Sequence, residues 1–262
     1  MNRWILLLFA LLGACAPGPA SSDVIVLAST TSTQDSGLLD ALTAAFESSN
    51  PELRVKVVAV GSGEALDLGR RGDADVLLVH SPQDEATFMA QGHGLSRTTI
   101  MRNDFVVAGP RDDPAPVSES SGAAEAFTRI AASRVPFISR GDESGTHRRE
   151  LSVWNEAGIA PGGDWYYEAG AGMAETLGIA AEKSAYILTD TATLRTTKPS
   201  LQILFSKDKT LVNLYSVIPV VTARSKAAGT LAQWLVSPES LKVIGAFGKD
   251  RFGISLFEPV AQ

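Results

Sequence analysis

The apolar positions of this chain change period repeatedly, from short strand-like runs to the three-and-four spacing of helices. Val24–Leu27 is a β-rich run. Leu38, Leu39, Leu42, Ala45 and Phe46 then recur at helical spacing, and Asn50-Pro51 stops that helix. Val55–Val60 and Val76–Val79 predict two more strands, the second continuous enough to be buried on both faces. Ser81-Pro82 has the cap and first-turn chemistry for a helix ending at Gly92. Phe105–Ala108 is a fourth strand, broken by Gly109-Pro110. The middle of the chain continues the theme. Helices are expected at Ser121–Ala132, His147–Asn155 and Met173–Ala181, and strands at Pro136–Ser139, Trp165–Glu168 and Ala185–Leu188. Leu201–Phe205 and Leu211–Val220 read as extended, and Thr230–Phe247 as one amphipathic helix. This β-then-α order predicts an α/β protein with parallel sheets covered by helices. The extended runs around Phe105 and Tyr215 are candidate crossovers between two lobes.

Composition narrows the class. The chain has 262 residues, 45% apolar and 20% charged, which suits a globular protein. Its 29 acidic against 23 basic residues give a formal charge of −6, unsuited to a nucleic-acid face. A single cysteine excludes an internal disulfide or a multi-cysteine metal site. That cysteine follows MNRWILLLFALLGA, which has the basic start, short apolar core and small-residue end of an export signal. The L-G-A-C ending resembles a bacterial lipoprotein processing box. Residues 1–14 are therefore expected to be a signal peptide, Cys15 a lipidated residue, and 15–22 a tether. Cleavage after Ala20 by an ordinary signal peptidase is the alternative. No apolar run in the sequence reaches the roughly 18–20 residues of a membrane span.

Three segments end a predicted strand with small polar residues and open a helix. They are Ser29–Asp35, with five consecutive hydroxyl residues, Gly61-Ser62-Gly63, and Ser139–His147. Singly, each reads as capping. Together they offer helix-terminal N–H groups, hydroxyls and close backbone approach, the makings of an anion pocket. Arg140 adds a guanidinium fork suited to tetrahedral oxygens, with a surface pairing to Asp142 or Glu143 as the alternative. Gly170-Ala171-Gly172-Met173 opens a further helix and offers backbone N–H groups alone. Arg70 and Arg71 read as a solvated turn, and Asp35 as a charge favoured by its own helix start. His80, His93 and His147 show no metal-ligand spacing. No nucleophile elbow, zinc-protease motif or phosphate-binding lysine loop is present, so the chain is not expected to be an enzyme.

These segments resemble the periplasmic tungstate-binding components of ABC importers. The matching strings are STTSTQDSGLLDAL at Ser29–Leu42, VVAVGSGEALDLGRRGDADVLLVHSP at Val57–Pro82 and NDFVVAGPRDDPA at Asn103–Ala115. ISRGDESGTH at Ile138–His147 and NLYSVIPV at Asn213–Val220 complete the set. The resemblance implies a type II periplasmic-binding-protein fold, two α/β lobes joined by two crossover strands around a central ligand cleft. Lobe I would comprise residues 23–107 and 213–262, and lobe II residues 108–212. It also implies ligand contacts from Thr30, Thr31, Ser32 and Ser62 on one side. Arg140, Ser144, Gly145, Thr146, Gly172 and Met173 would contact the ligand from the other. Ala171, Leu214 and Ser216 depart from the Gln, Pro and Gly expected in that family. The implied role is capture of tungstate or molybdate, without a cofactor, by a monomer outside the cytoplasm. A membrane permease is the implied partner, and Cys15 the expected lipid anchor in the periplasm or at the cell surface. Phosphate or sulfate binding is the nearest alternative. An exported hydrolase using Ser144 and His147, and a structural lipoprotein without a ligand, are remoter ones.

Overall fold

The computed structural model describes residues 23–197, 199–206 and 208–260. The expected signal peptide and tether, with Cys15, lie outside the described residues. The first third alternates strictly: β1 (Asp23–Thr30), α1 (Thr31–Ser36), α2 (Leu38–Ser49), β2 (Leu53–Val60), α3 (Ser62–Arg71), β3 (Val76–Val79) and α4 (Pro82–Ala90). β4 (Thr98–Gly109) follows, then α5 (Ala123–Ser133), β5 (Phe137–Ser139), α6 (Gly145–Glu156), β6 (Tyr166–Glu168) and α7 (Met173–Glu182). β7 (Ile187–Asp190), α8 (Thr191–Thr197) and β8 (Gln202–Phe205) close the middle. The end comprises β9 (Val212–Pro219), α9 (Ala228–Leu235), α10 (Pro238–Ala246), α11 (Lys249–Phe252) and β10 (Glu258–Pro259).

β1 lies between β2 and β3, parallel to both. β9 returns antiparallel to β3, and the sheet runs β10-β4-β9-β3-β1-β2. The first part of β4 pairs with β9, and Phe105–Ala108 pair with β7. One strand thus serves both lobes. β9 re-enters the first lobe opposite it, Val212 facing Asp104, and provides the second crossover. Beyond β4, β5 pairs in parallel with β6 and bridges to Tyr186 beside β7.

Burial follows the two lobes. Ile25, Leu27, Phe46, Val76, Tyr215, Leu231 and Phe257 share one cluster drawn from both chain ends. Phe127, Phe137, Trp154, Trp165 and Tyr186 share another from the middle. Strand β3 is buried along its whole length, as its continuous hydrophobicity predicts.

Three local expectations change. β4 begins at Thr98, because polar Arg102, Asn103 and Asp104 interrupt its apolar pattern where it leaves one lobe for the other. The tail is two helices, split at Ser237-Pro238, where Ser237 caps α10 through its hydroxyl and Pro238 takes the first turn. Arg70 and Arg71 form the last turn of α3, with Arg70 bonded to Asp67 and lying 5.6 Å over the Phe88 ring.

Candidate anion site at the interlobe seam

Three strand-to-helix turns meet where the lobes face each other. β1 ends at Thr30, whose hydroxyl caps α1 by accepting from Thr33 N–H at 3.4 Å. It also lies 2.8 Å from the Thr33 hydroxyl and 3.2 Å from that of Ser32, so capping occupies Thr30. Thr31 faces the other lobe and accepts from Arg140 Nη2 at 3.0 Å. Ser62 opens α3, fully buried, and its hydroxyl has no partner among the described residues. A Cβ on the preceding Gly61 would stand 3.3 Å from the Asp142 carbonyl, which shows how closely the second lobe approaches.

The second lobe contributes the turn between β5 and α6. Gly141 and Glu143 both hold positive φ there, of 60° and 57°, and fold the turn tightly. Asp142 Oδ1 accepts from Ser144 N–H at 3.2 Å, and Ser144 Oγ accepts from His147 N–H at 3.2 Å. His147 Nδ1 accepts from Glu143 N–H at 3.0 Å. Arg140 is buried, 1% exposed, and is not the surface side chain of the alternative reading. Its Nη2 also donates to Asp142, while Nε and Nη1 have no partner among the described residues. The Thr146 hydroxyl is likewise buried and unpartnered. Gly145 packs directly on His80 of the first lobe.

Gly172 caps α7 and approaches Thr31, with a hypothetical Cβ 3.5 Å from the Thr31 Cβ. The Met173 side chain is buried in an apolar cluster, so it could offer a ligand its backbone N–H alone. Asp35 differs from its sequence reading. Its Oδ2 accepts from Ala174 N–H at 3.1 Å, capping α7 of the opposite lobe rather than its own helix. Burial pushes its carboxyl above the usual range, opposed by that N–H and by Arg140.

The chemistry of this seam is mostly that of donors, with the His80 and His147 Nε2 atoms also buried and unpartnered among the described residues. Ser62 Oγ, Thr146 Oγ1 and Arg140 Nε and Nη1 are all buried groups able to donate, contributed by both lobes. A buried donor left unpaired costs about 1–3 kcal/mol, so such a set suits a ligand that accepts. Ser144 and His147 do not form a nucleophile and base, because the hydroxyl accepts a backbone N–H and Nδ1 accepts another. Among the described residues no group of His, Cys, Asp and Glu is arranged to hold a metal ion. The Arg140–Asp142 pair was legible as near neighbours in sequence, whereas His80 and the cross-lobe role of Asp35 carried no local signal, since their partners are remote.

The comparisons with known proteins agree with this geometry. A PBP superfamily domain matches residues 17–239. The tungstate-binding protein TupA of Peptoclostridium acidaminophilum is 43% identical over 246 residues, covering 90% of this chain and 86% of its own. The crystal structure of the tungstate ABC transporter from Geobacter sulfurreducens is 43% identical, with a TM-score of 0.78 over 86% of this chain and 98% of that one. The tungstate-binding protein TupA from Desulfovibrio alaskensis G20 is 40% identical, with a TM-score of 0.74 over 91% and 99%. The chain therefore belongs to the PBP superfamily and, within it, to the family of these tungstate-binding proteins.

Proposed function

We propose that this protein is the extracytoplasmic binding component of an ABC importer, and that it captures tungstate or molybdate between its lobes. The observation that carries the reading is the set of buried, acceptor-less donors from both lobes around Arg140. Thr31, Ser32, Ser62, Arg140, Ser144, Gly145 and Thr146 would surround the ligand, with backbone N–H groups of Gly172 and Met173. Thr30 would act mainly by shaping the first turn. The lobes divide at residues 23–107 with 213–262, and 108–212. Charge-assisted hydrogen bonds contribute about 1.5–3 kcal/mol each, so six or seven reach the about 12 kcal/mol of nanomolar affinity after closure costs. Capture involves no bond-making. A membrane permease receives the ligand, and a lipid on Cys15 keeps the monomeric protein beside it.

Discrimination against phosphate rests on the two nearby carboxylates. Monohydrogen phosphate carries a proton and needs an acceptor. Asp142 already accepts from Ser144 N–H and Arg140, and Asp35 from Ala174 N–H. Both act as caps, so neither carboxylate is free to accept the phosphate proton. Sulfate also only accepts, so pocket size has to exclude it through its shorter bonds. Competitive calorimetry of tungstate, molybdate, sulfate and phosphate on ligand-free protein tests the reading. Tungstate and molybdate should bind by far the tightest. Phosphate binding as tight as either refutes it.

A further inference from the structure

A chain of buried hydrogen bonds runs through both crossover strands and ends at His80. It begins at Asp190, the last residue of β7, which is 1% exposed. Asp190 Oδ1 accepts from Ala192 N–H, Thr193 N–H and Asn103 Nδ2, each at 3.0 Å. Asn103, on β4, stands opposite Asn213 on β9. With its NH₂ turned to Asp190, Asn103 leaves its Oδ1 to accept from Asn213 Nδ2 at 2.8 Å. Asn213 Nδ2 also lies 2.9 Å from Tyr215 Oη, so its Oδ1 faces His80 Nδ1, 2.8 Å away. An amide oxygen only accepts. The His80 proton therefore sits on Nδ1, and Nε2 is bare.

The ring is enclosed at the seam. Tyr215 stacks on it with centroids 4.7 Å apart, and Phe105 lies 6.1 Å away. A Cβ on Gly145 would come within 2.6 Å of the His80 carbonyl oxygen and 2.9 Å of Nδ1. His80 is 3% exposed, and its Nε2 is buried without a partner among the described residues. Within the ring, Nε2 lies on the far side from Nδ1 and the amide oxygen it donates to.

We propose that His80 belongs to the anion site and takes up a proton on Nε2 when a dianion is captured. This rests on the oxyanion reading above. Protonation needs no rearrangement, because Nδ1–H already donates to Asn213. Without ligand, burial holds the imidazole neutral and lowers its pKa to about 4, helped by Arg140 and opposed by Asn213 and Asp142. Arg148 and Arg149 on α6 line the same cavity as His80. On α4, Glu85 is held by Ser81 N–H and Arg97, and Asp84 by the Ser81 hydroxyl and Arg148. Two ligand charges beside Gly145 reverse that balance. The new Nε2–H is then one more donor in a seam whose ligand only accepts.

Calorimetry with sodium tungstate, in buffers of different ionisation enthalpy, counts the protons. Between about pH 6 and 8, wild-type protein should take up a fraction of a proton per tungstate, larger at the lower pH. A group whose pKa is raised in the complex adds affinity that is lost as pH rises through that raised value. Kd should therefore increase with pH by up to about tenfold per unit. His80→Gln should bind with no uptake and a flatter pH profile. Imidazole ¹⁵N shifts of intact wild-type protein supply a second measurement, with Nδ1–H alone before tungstate and both nitrogens protonated after it. Tungstate binding without proton uptake, uptake that survives in H80Q, or an Nε2–H tautomer in the free protein overturns the proposal. Failure of the oxyanion reading looks different: no heat with tungstate or molybdate, which overturns both.

Discussion

Replacing Arg140 with Met separates what the guanidinium does for the ligand from what it does for the fold. Met keeps much of the side-chain volume and removes all the donors. Two of these, Nε and Nη1, have no acceptor among the described residues, while Nη2 is shared by Thr31 and Asp142. Two charge-assisted bonds to a bound oxyanion, at about 1.5–3 kcal/mol each, amount to about 3–6 kcal/mol. Affinity should fall by roughly 10²–10⁴-fold. The ligand-free protein should respond differently. Its unpaired buried donors cost about 1–3 kcal/mol, and Met has none. Asp142 retains the Ser144 N–H, and its side chain is 17% exposed, so water can solvate it. The ligand-free Tm should be unchanged or higher, while the Tm shift on adding tungstate should shrink in line with the lost affinity. Titration calorimetry and thermal unfolding, each with and without tungstate, measure both quantities. A variant that binds within tenfold of the parent, or that loses stability without losing affinity, refutes the reasoning.

Two further expectations follow from particular contacts. Gly145→Ala would bring a Cβ within 2.6 Å of the His80 carbonyl oxygen, a backbone atom that cannot step aside. Thermal unfolding should show a ligand-free Tm below the parent's and calorimetry a weaker tungstate affinity; parental values of both would contradict it. Glu150 is buried under Trp154 Nε1 and Tyr166 Oη, at 3.1 and 2.8 Å, and burial pushes its carboxyl up to about 7. The folded state therefore holds a proton that the unfolded chain releases above its ordinary value. Stability should decline as pH rises through that interval, by about 3 kcal/mol at most. Urea unfolding at about pH 5 and pH 8 should show this decline in wild-type protein and not in Glu150→Gln; equal slopes in both would remove Glu150 as its cause.

What was legible in the sequence depended on how local each cause is. Capping and strand-ending chemistry act over three or four residues, so the turns at Ser29–Asp35, Gly61–Gly63 and Ser139–His147 stood out before any fold was known. The continuous apolar run Val76–Val79 likewise announced a strand buried on both faces. α8 escaped because TATLRTT is rich in β-branched residues, and its first N–H groups are capped by Asp190, itself the end of a strand. Asp35 looked like a residue serving its own helix because the helix it caps lies 139 positions away. The Asp190–Asn103–Asn213–His80 chain links four residues from four strands or their ends. No spacing rule joins such residues, and only the antiparallel register of β4 and β9 brings the two amides together. Local chemistry thus marked the walls of the seam, while long-range pairing decided how those walls are braced.

The overall charge of −6 bears on how an acidic protein can hold an anion at all. Arg140 is the only cation of the proposed ligand set, and Asp142 sits directly against it. The site has little net charge of its own, so its attraction comes from aimed dipoles: hydroxyls and the N–H groups that open helices. Dipolar fields fall off faster with distance than those of charges. A long polyanion passing the acidic surface gains nothing from them, whereas a tetrahedral ion enclosed by both lobes meets them all at contact range. Enclosure, rather than total charge, then sets selectivity. The residues that decide how tightly the lobes meet, Gly145 against His80 and Asp35 at α7, belong to recognition as much as the donors themselves.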